Sequence, residues 1–218
     1  MFAFRSILTL PVALTIGLSG AHSDASHAAP APLRQAKTEV ATFAGGCFWS
    51  MSRPFEHTPG VTSVTVGYTG GHTANPGYVQ VGTRTTGHAE SVEVEFDPSR
   101  VSYDRLLDIY WHNVDPLTND AQFCDHGNDY RTAIFYHDDA QRRAAEASRA
   151  VIAKHFTKPI VTEIVPASTF YKAEEYHQHF AERNPAQYDA YRRGCGRDAR
   201  LRELWGAAAE PNVPPLAP

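Results

Sequence analysis

Apolar and polar positions along the chain follow two periods, one of two residues and one of three to four, so strands and helices are predicted to be interleaved. Residues 39–44 are compatible with a strand and stop at Gly45-Gly46. Residues 47–57 place Phe48, Met51 and Phe55 on related helical faces, and Pro59-Gly60 ends that helix. Val61, Val64 and Val66 make a β-branched run that closes on the turn-rich Gly67-Tyr68-Thr69-Gly70-Gly71. Residues 72–87, rich in Gly, Thr and Pro, read as a functional loop. Residues 91–96 alternate strictly, which predicts a strand with one wet face, and Asp97-Pro98 stops it. Ser102 can cap a helix whose apolar positions are Leu106, Leu107, Ile109, Tyr110 and Val114. A second polar loop, 115–129, precedes a strand at 132–137, an Ala-rich charged helix at 138–156 and a strand at 161–165. Helices at 174–183 and 198–205 complete the body. Strands that alternate and can form hairpins favour an antiparallel or mixed sheet, hence a single α+β two-layer domain.

Both ends differ in composition from this body. Arg5 precedes an apolar run at residues 7–18, followed by Ser19-Gly20-Ala21, which is the build of a secretory signal peptide. The run is too short to span a bilayer and Pro11 interrupts it, so no stable membrane insertion is expected. Cleavage after Ala21 or after Ala28 fits the small-residue rule. Residues 22–37 are expected to be a disordered lead-in, and the Pro-rich residues 207–218 a disordered tail, leaving a single folded body at 38–206. The expected location is therefore outside the cytoplasm, in the periplasm.

A chain of 218 residues with 42% hydrophobic positions can bury one sizeable core. Lys plus Arg number 20 against 24 for Asp plus Glu, a net charge of −4, which lacks the basic excess of a nucleic-acid binder. Three Cys cannot make a disulfide scaffold without one left over, and they point to reactive thiol chemistry.

The sharpest local pattern is Gly45-Gly46-Cys47-Phe48-Trp49. Cys47 falls where a helix should begin, so free N–H groups and the helix dipole would stabilise its thiolate. On spacing alone, a nucleophile and a buried inert Cys are equally compatible with it. Glu90 opens the alternating strand and shares the apolar face of Val92, Val94 and Phe96. There a carboxyl would be desolvated and hold its proton near neutral pH, as a general acid does; a strand-end residue still in water is the alternative. His88-Ala89-Glu90 is like part of the zinc deaminase signature, but the required Pro-Cys-x-x-Cys is missing. Asp125, Asp129 and Tyr130 cluster beside Gly127, a pattern that ordinary turn chemistry also produces. No metal-ligand spacing links His126, His137, His155, His177 and His179, and His177 and His179 diverge on a helix. Arg192-Arg193 reads as a solvated face, and the glycines flanking Cys195 as a mobile segment able to carry a thiol to a partner.

Five segments, taken together, resemble the type A peptide methionine sulfoxide reductases: Gly45-Gly46-Cys47-Phe48-Trp49, Gly67-Tyr68-Thr69-Gly70-Gly71, Asn75-Pro76-Gly77-Tyr78, Gly87-His88-Ala89-Glu90 and Asp125-His126-Gly127-Asn128-Asp129-Tyr130-Arg131. They occur in the family's order and spacing across residues 40–180. The resemblance implies an α+β two-layer sandwich with a ferredoxin-like core. It implies Cys47 as the nucleophile on the sulfoxide sulfur, Phe48 and Trp49 as the wall receiving the substrate methyl, and Glu90 as the acid. Tyr78 and Tyr130 would hydrogen-bond the sulfoxide oxygen, and Asp125 would order the site. It further implies specificity for the S epimer, a Cys47 sulfenic acid, a C-terminal resolving Cys and a thioredoxin-like dithiol as donor, with no metal or bound organic cofactor. Oxidised proteins are then the substrates, and a monomer is expected.

Two positions depart from the family pattern. Cys124 stands where many relatives have Asn, and Cys195 lies in Tyr191-Arg192-Arg193-Gly194-Cys195-Gly196 rather than in a Gly-rich tail. Cys195 is expected to resolve the sulfenic acid, with Cys124 the alternative. Two other functions compete with the reductase reading: a thiol peroxidase or disulfide oxidoreductase, and a secreted binding module with inert thiols.

Overall fold

The computed structural model describes residues 38–209, and the signal peptide, the lead-in and all but the start of the tail expected from the sequence lie outside the described residues. Four long strands form the centre: β1 (Glu39–Gly45), β2 (Val61–Thr69), β3 (Ala89–Phe96) and β6 (Thr132–Tyr136). Their order in the sheet is β6-β1-β3-β2, and all three contacts are antiparallel. Helix α1 (Phe48–Glu56) connects β1 to β2, and α3 (Tyr103–Trp111) lies between β3 and β6. That is the ferredoxin-like arrangement. Strand β7 (Glu163–Pro166) adds in parallel outside β6, and β8 (Tyr171–Lys172) adds antiparallel outside β2, making the sheet mixed.

The alternation read in the sequence sets the register. Val92, Val94 and Phe96 of β3 lie at 0% exposure, opposite Phe43, Ala41 and Glu39 of β1. On the other side Val92 and Val94 face Val66 and Val64 of β2. Phe43 stacks with Phe55 of α1 at 5.3 Å and Tyr110 of α3 at 5.1 Å, which joins both helices to the sheet. Each such buried ring contributes roughly 1.5–3 kcal/mol relative to exposure. Ser102 caps α3, its side chain accepting the Arg105 N–H at 3.2 Å. Asp138 does the same for α4 (Asp139–Ile152) through Gln141 N–H at 2.8 Å. Among the described residues no helix is long and apolar enough to cross a membrane.

Several expectations need correcting. Strand β2 runs through Gly67, Tyr68 and Thr69, which were expected to be turn, because they pair with Ser91, Glu90 and Ala89. The 72–87 loop contains a short helix, α2 (Tyr78–Gly82). The 115–129 loop contains a two-residue hairpin, β4 (Ala121–Gln122) and β5 (Asp125–His126), followed by a 3-10 turn at Asn128–Tyr130. The helix expected at 174–183 is broken into a 3-10 turn at Glu175–His177 and α5 (Phe180–Arg183), because His179 adopts a left-handed φ of 52°. Helix α6 (Pro185–Gly194) was not foreseen. Cys195 therefore sits at a corner between α6 and α7 (Arg197–Trp205), not in a mobile segment. A last 3-10 turn, Gly206–Ala208, carries ordered backbone into the stretch expected to be tail.

Candidate active site

Cys47 stands between the end of β1 and the first turn of α1, where it is the N-cap and 7% exposed. The two glycines before it are required by protein packing. A Cβ on Gly45 would lie 2.5 Å from Val114 Cγ1, and one on Gly46, at φ 84°, 2.6 Å from Gln122 Cβ. Gln122 is pinned in turn, accepting the Asp115 N–H at 2.9 Å and donating to the Asp115 carbonyl at 2.7 Å.

Strand β3 brings Glu90 to the same helix start. Its side chain is on the buried face, 3% exposed, and Oε2 accepts the Phe48 N–H at 3.0 Å. Burial pushes its pKa up to about 8, assisted by the charges of Asp125 and Asp129 and opposed by the Phe48 N–H. A carboxyl in this state is a proton donor at neutral pH. Tyr78 and Tyr130 are half-buried, and both feel the charge of Glu90. Burial first, and Glu90 second, push the Tyr78 phenol up to about 12 and that of Tyr130 higher, so both keep their protons and can donate.

The expectation of a stabilised Cys47 thiolate is not met in this state. Burial foremost, then the charge of Glu90, pushes the thiol well above its ordinary range, with Asp125 adding to it. The nearby Tyr191 hydroxyl and the backbone N–H of Trp49 oppose this rise. The helix start has few N–H groups to offer, and Phe48's is given to Glu90.

Trp49 is half-buried and its indole stacks on Phe180 at 3.6 Å. Its Nε1–H donates to His177 Nδ1 at 3.1 Å. The Phe48 ring is 1% exposed and packs at 5.0 Å from the His177 ring and 5.9 Å from that of Tyr68. The aromatic group is wider than the sequence suggested, since the Tyr78 ring also lies 4.5 Å from His177. Burial holds the His177 pKa below its usual value, so the imidazole is neutral and accepts from Trp49. Gln178 fixes this segment to β2, accepting the Val66 N–H and donating to the Val66 carbonyl, each at 3.0 Å. Glu174 accepts the Tyr78 N–H and the Tyr68 hydroxyl, both at 2.9 Å. His88, by contrast, is structural. Its ring accepts the Gly71 N–H and meets the Thr73 carbonyl at 2.7 Å.

Asp125, half-buried, accepts a short hydrogen bond from the Tyr191 hydroxyl. Burial raises its pKa, while Tyr191, Arg197 and His126 hold it back. Its Oδ2 also lies 4.0 Å from Cys195 Sγ. Cys195 is disulfide-bonded to Cys124 across 71 residues, and Cys47 is the one free thiol among the described residues. Cys47, Tyr191, Asp125 and Cys195 thus form a continuous chain of contacts. Cys124, Asp125 and Cys195 are the one donor cluster among the described residues compact enough for a metal, but the two sulfurs are bonded to each other.

Sequence reasoning brought together Cys47, Phe48, Trp49, Tyr78, Glu90, Asp125 and Tyr130. It missed Tyr68, Glu174, His177 and Tyr191. It also read Arg192 as solvated, whereas Arg192 is 8% exposed, donates to the Tyr188 hydroxyl at 3.0 Å and pairs with Asp198.

A buried thiol beside a protonated carboxyl and phenol donors, linked through one hydrogen-bonded tyrosine to a disulfide, defines a thiol-dependent oxidoreductase on a ferredoxin-like core. The model of the peptide methionine sulfoxide reductase family matches residues 39–209, and the chain belongs to that family. It is 51% identical over 173 residues to the peptide methionine sulfoxide reductase MsrA of Bacillus subtilis, covering 78% of this chain and 98% of that protein. It is 52% identical over 179 residues to MsrA 2 of Caulobacter vibrioides, covering 82% and 90%. Among solved structures it is similar to the reduced form of Mxr1 from Saccharomyces cerevisiae, with TM-score 0.67, 29% identity and coverage of 70% of this chain and 89% of that one. It is also similar to methionine sulfoxide reductase A of Corynebacterium diphtheriae, with TM-score 0.62, 34% identity and coverage of 68% and 76%.

Proposed function

We infer that the chain reduces the S epimer of methionine sulfoxide in oxidised proteins and peptides to methionine. The observation that carries this reading is the Cys47–Glu90 pair, a nucleophile and a proton donor fixed to the same helix start by the Phe48 N–H. Sulfoxide oxygen is a poor leaving group until it is protonated. Cys47 sulfur attacks the sulfoxide sulfur while Glu90 supplies a proton to the oxygen, with Tyr78 and Tyr130 as further donors. An S–S bond forms as the Cys47 proton passes to the Glu90 carboxylate and on to the oxygen, the S–O bond breaks, and the oxygen leaves as water to give a sulfonium. Water then attacks the Cys47 sulfur, the S–S bond breaks, methionine leaves, and the oxygen stays on Cys47 as a sulfenic acid while the spare proton returns to Glu90. Trp49 and Phe48 supply the apolar surface beside the sulfur.

The remaining thiols then pass the oxidation outward. Cys195 attacks the sulfenic sulfur and releases water, giving a Cys47–Cys195 disulfide. Cys124 attacks Cys195, which frees Cys47 and leaves the Cys124–Cys195 bond. Support for this order comes from Asp125 and Tyr191, which connect Cys47 to Cys195, and from the exposure of Cys124. A thioredoxin-like dithiol reduces that bond and becomes a disulfide itself. No metal or bound organic cofactor takes part. We also propose a monomer, tested by sedimentation, and export to the periplasm, which rests on the composition of residues 1–21 and is tested by cell fractionation.

The deciding measurement is reduction of the separated S and R epimers of a blocked methionine sulfoxide, with dithiothreitol as reductant and Cys47→Ser as control. Turnover of the S epimer alone, lost in the control, is expected. Turnover of peroxide without either epimer would instead favour a thiol peroxidase, and an unreactive Cys47 a binding module.

A further inference from the structure

The α6–α7 corner buries a charge that the reaction above does not use. Arg197 is 1% exposed, the second residue after Cys195, and no carboxylate pairs with it among the described residues. Burying an unpaired guanidinium is expensive, so its contacts have a purpose beyond filling space. Nη2 donates to the Asn113 carbonyl at 2.6 Å and touches Met51 Sδ at 3.3 Å. Met51 is on α1, the helix that starts at Cys47. The guanidinium carbon lies 4.4 Å over the centre of the Phe123 ring, and Phe123 immediately precedes Cys124. Nη1 lies 3.7 Å from where a Cβ on Gly46 would be, and Gly46 immediately precedes Cys47. One side chain therefore touches the neighbourhood of Cys47 and of Cys124, while its own backbone carries Cys195 two residues before it.

We propose that Arg197 is a positioning residue that holds the Cys124 and Cys195 segments in register with Cys47 for thiol transfer. The proposal rests on the relay described above. Thiol–disulfide exchange needs the attacking sulfur in line with the bond it breaks, and a displacement of about 1 Å can cost on the order of 100-fold in rate. The glycines that flank Cys195 are not packed themselves: Gly194 and Gly196 would meet nothing within 4 Å on gaining a Cβ. The positive charge also offsets negative charge on Asp125, which contacts the Cys195 sulfur.

The test counts methionine released by fully reduced enzyme with no reductant present. Three thiols can reduce about two sulfoxides per chain. The first passes its oxidation to Cys124 and Cys195 and frees Cys47; the second leaves Cys47 as sulfenic acid. Wild type is expected to release both quickly. In Arg197→Met the ratio of the second rate to the first should fall at least about tenfold. Arg197→Lys, which keeps the charge but loses the planar fork over Phe123, should fall between them. A general loss of stability would lower both rates and leave their ratio unmoved. Should Arg197→Met lose the first turnover as well, the ratio in Arg197→Lys decides. A wild-type ratio in the variant that retains the first turnover overturns the proposal. Release of only one methionine by wild type overturns the relay, and the proposal with it.

Discussion

The three cysteines of this chain occupy two opposite environments. Cys47 is 7% exposed, faces a carboxyl and is ringed by aromatic side chains; Cys124 is exposed and bonded to a half-buried Cys195 on a helix corner. The buried thiol is suited to a small sulfoxide, which can enter where water is sparse and be protonated by Glu90. The exposed disulfide is suited to a protein donor, whose own thiol must reach a sulfur in line with the bond. Burial that protects Cys47 from unselective oxidation also raises its pKa, so the reactivity expected from a helix N-terminus alone is absent. Reaction at Cys47 then depends on the substrate arriving together with a proton donor. Separation of the two environments is what makes Tyr191 and Asp125 necessary as a connection.

That contrast is most sharply broken at Cys47 itself. Cys47→Ser should lose at least about 10,000-fold in turnover with any reductant, because a serine hydroxyl is a far weaker nucleophile toward sulfur; the epimer assay measures it. At the exposed pair the loss should depend on the reductant. Cys195→Ser should retain most dithiothreitol-driven turnover and lose about 100-fold with a thioredoxin-like donor, since a small dithiol can reduce the sulfenic acid directly. If a Cys47–Cys124 disulfide forms in that variant and donor-driven turnover persists, Cys124 is the resolver instead.

Glu90 gives the next effect. Glu90→Gln should slow reduction by about 100- to 10,000-fold, the usual worth of a positioned acid. With its pKa near 8, the protonated form is lost as pH rises, so single-turnover rates in wild type should fall through about pH 8 and be flat below it. A rate that climbs through pH 8 would mean that Cys47 ionisation, not Glu90 protonation, governs the step.

What was legible in the sequence was local. The place of Cys47 at a helix start and of Glu90 on the apolar face of an alternating strand could each be read within six residues, but their roles could not, and came only from the resemblance of five segments to a known family. Strict alternation marked β3 alone; the other three central strands were read from short β-compatible runs. The C-terminal third was harder to read because several of its buried residues, His177, Gln178, Arg192 and Arg197 among them, are polar or charged. Arg192 reads with Arg193 as a solvated face until α6 is seen to pack against α7, and His177 sits in a segment whose left-handed residue, His179, carries no glycine to mark the break. Tyr191 lacks any local signal, since its partners Cys47 and Asp125 are 144 and 66 residues away in sequence.

The smallest effect concerns stability. Glu90 has an ordinary value of 4.5 when unfolded and about 8 when folded, so between these the folded chain keeps a proton that the unfolded chain releases. Its contribution is complete below about pH 4.5 and is lost as pH rises toward 8, with a limiting slope of about 1.4 kcal/mol per pH unit. Glu90→Gln keeps an acceptor for the Phe48 N–H but cannot ionise, so its stability should lack this component. Other buried carboxyls, Asp125 and Asp129 among them, titrate in the same direction in both proteins and cancel in the difference. Urea unfolding at pH 6 and pH 9 should therefore show the variant gaining about 1–3 kcal/mol on wild type between the two pH values. A constant difference would mean that Glu90 is ionised in the resting enzyme and that the proton for the sulfoxide oxygen comes from the two tyrosines.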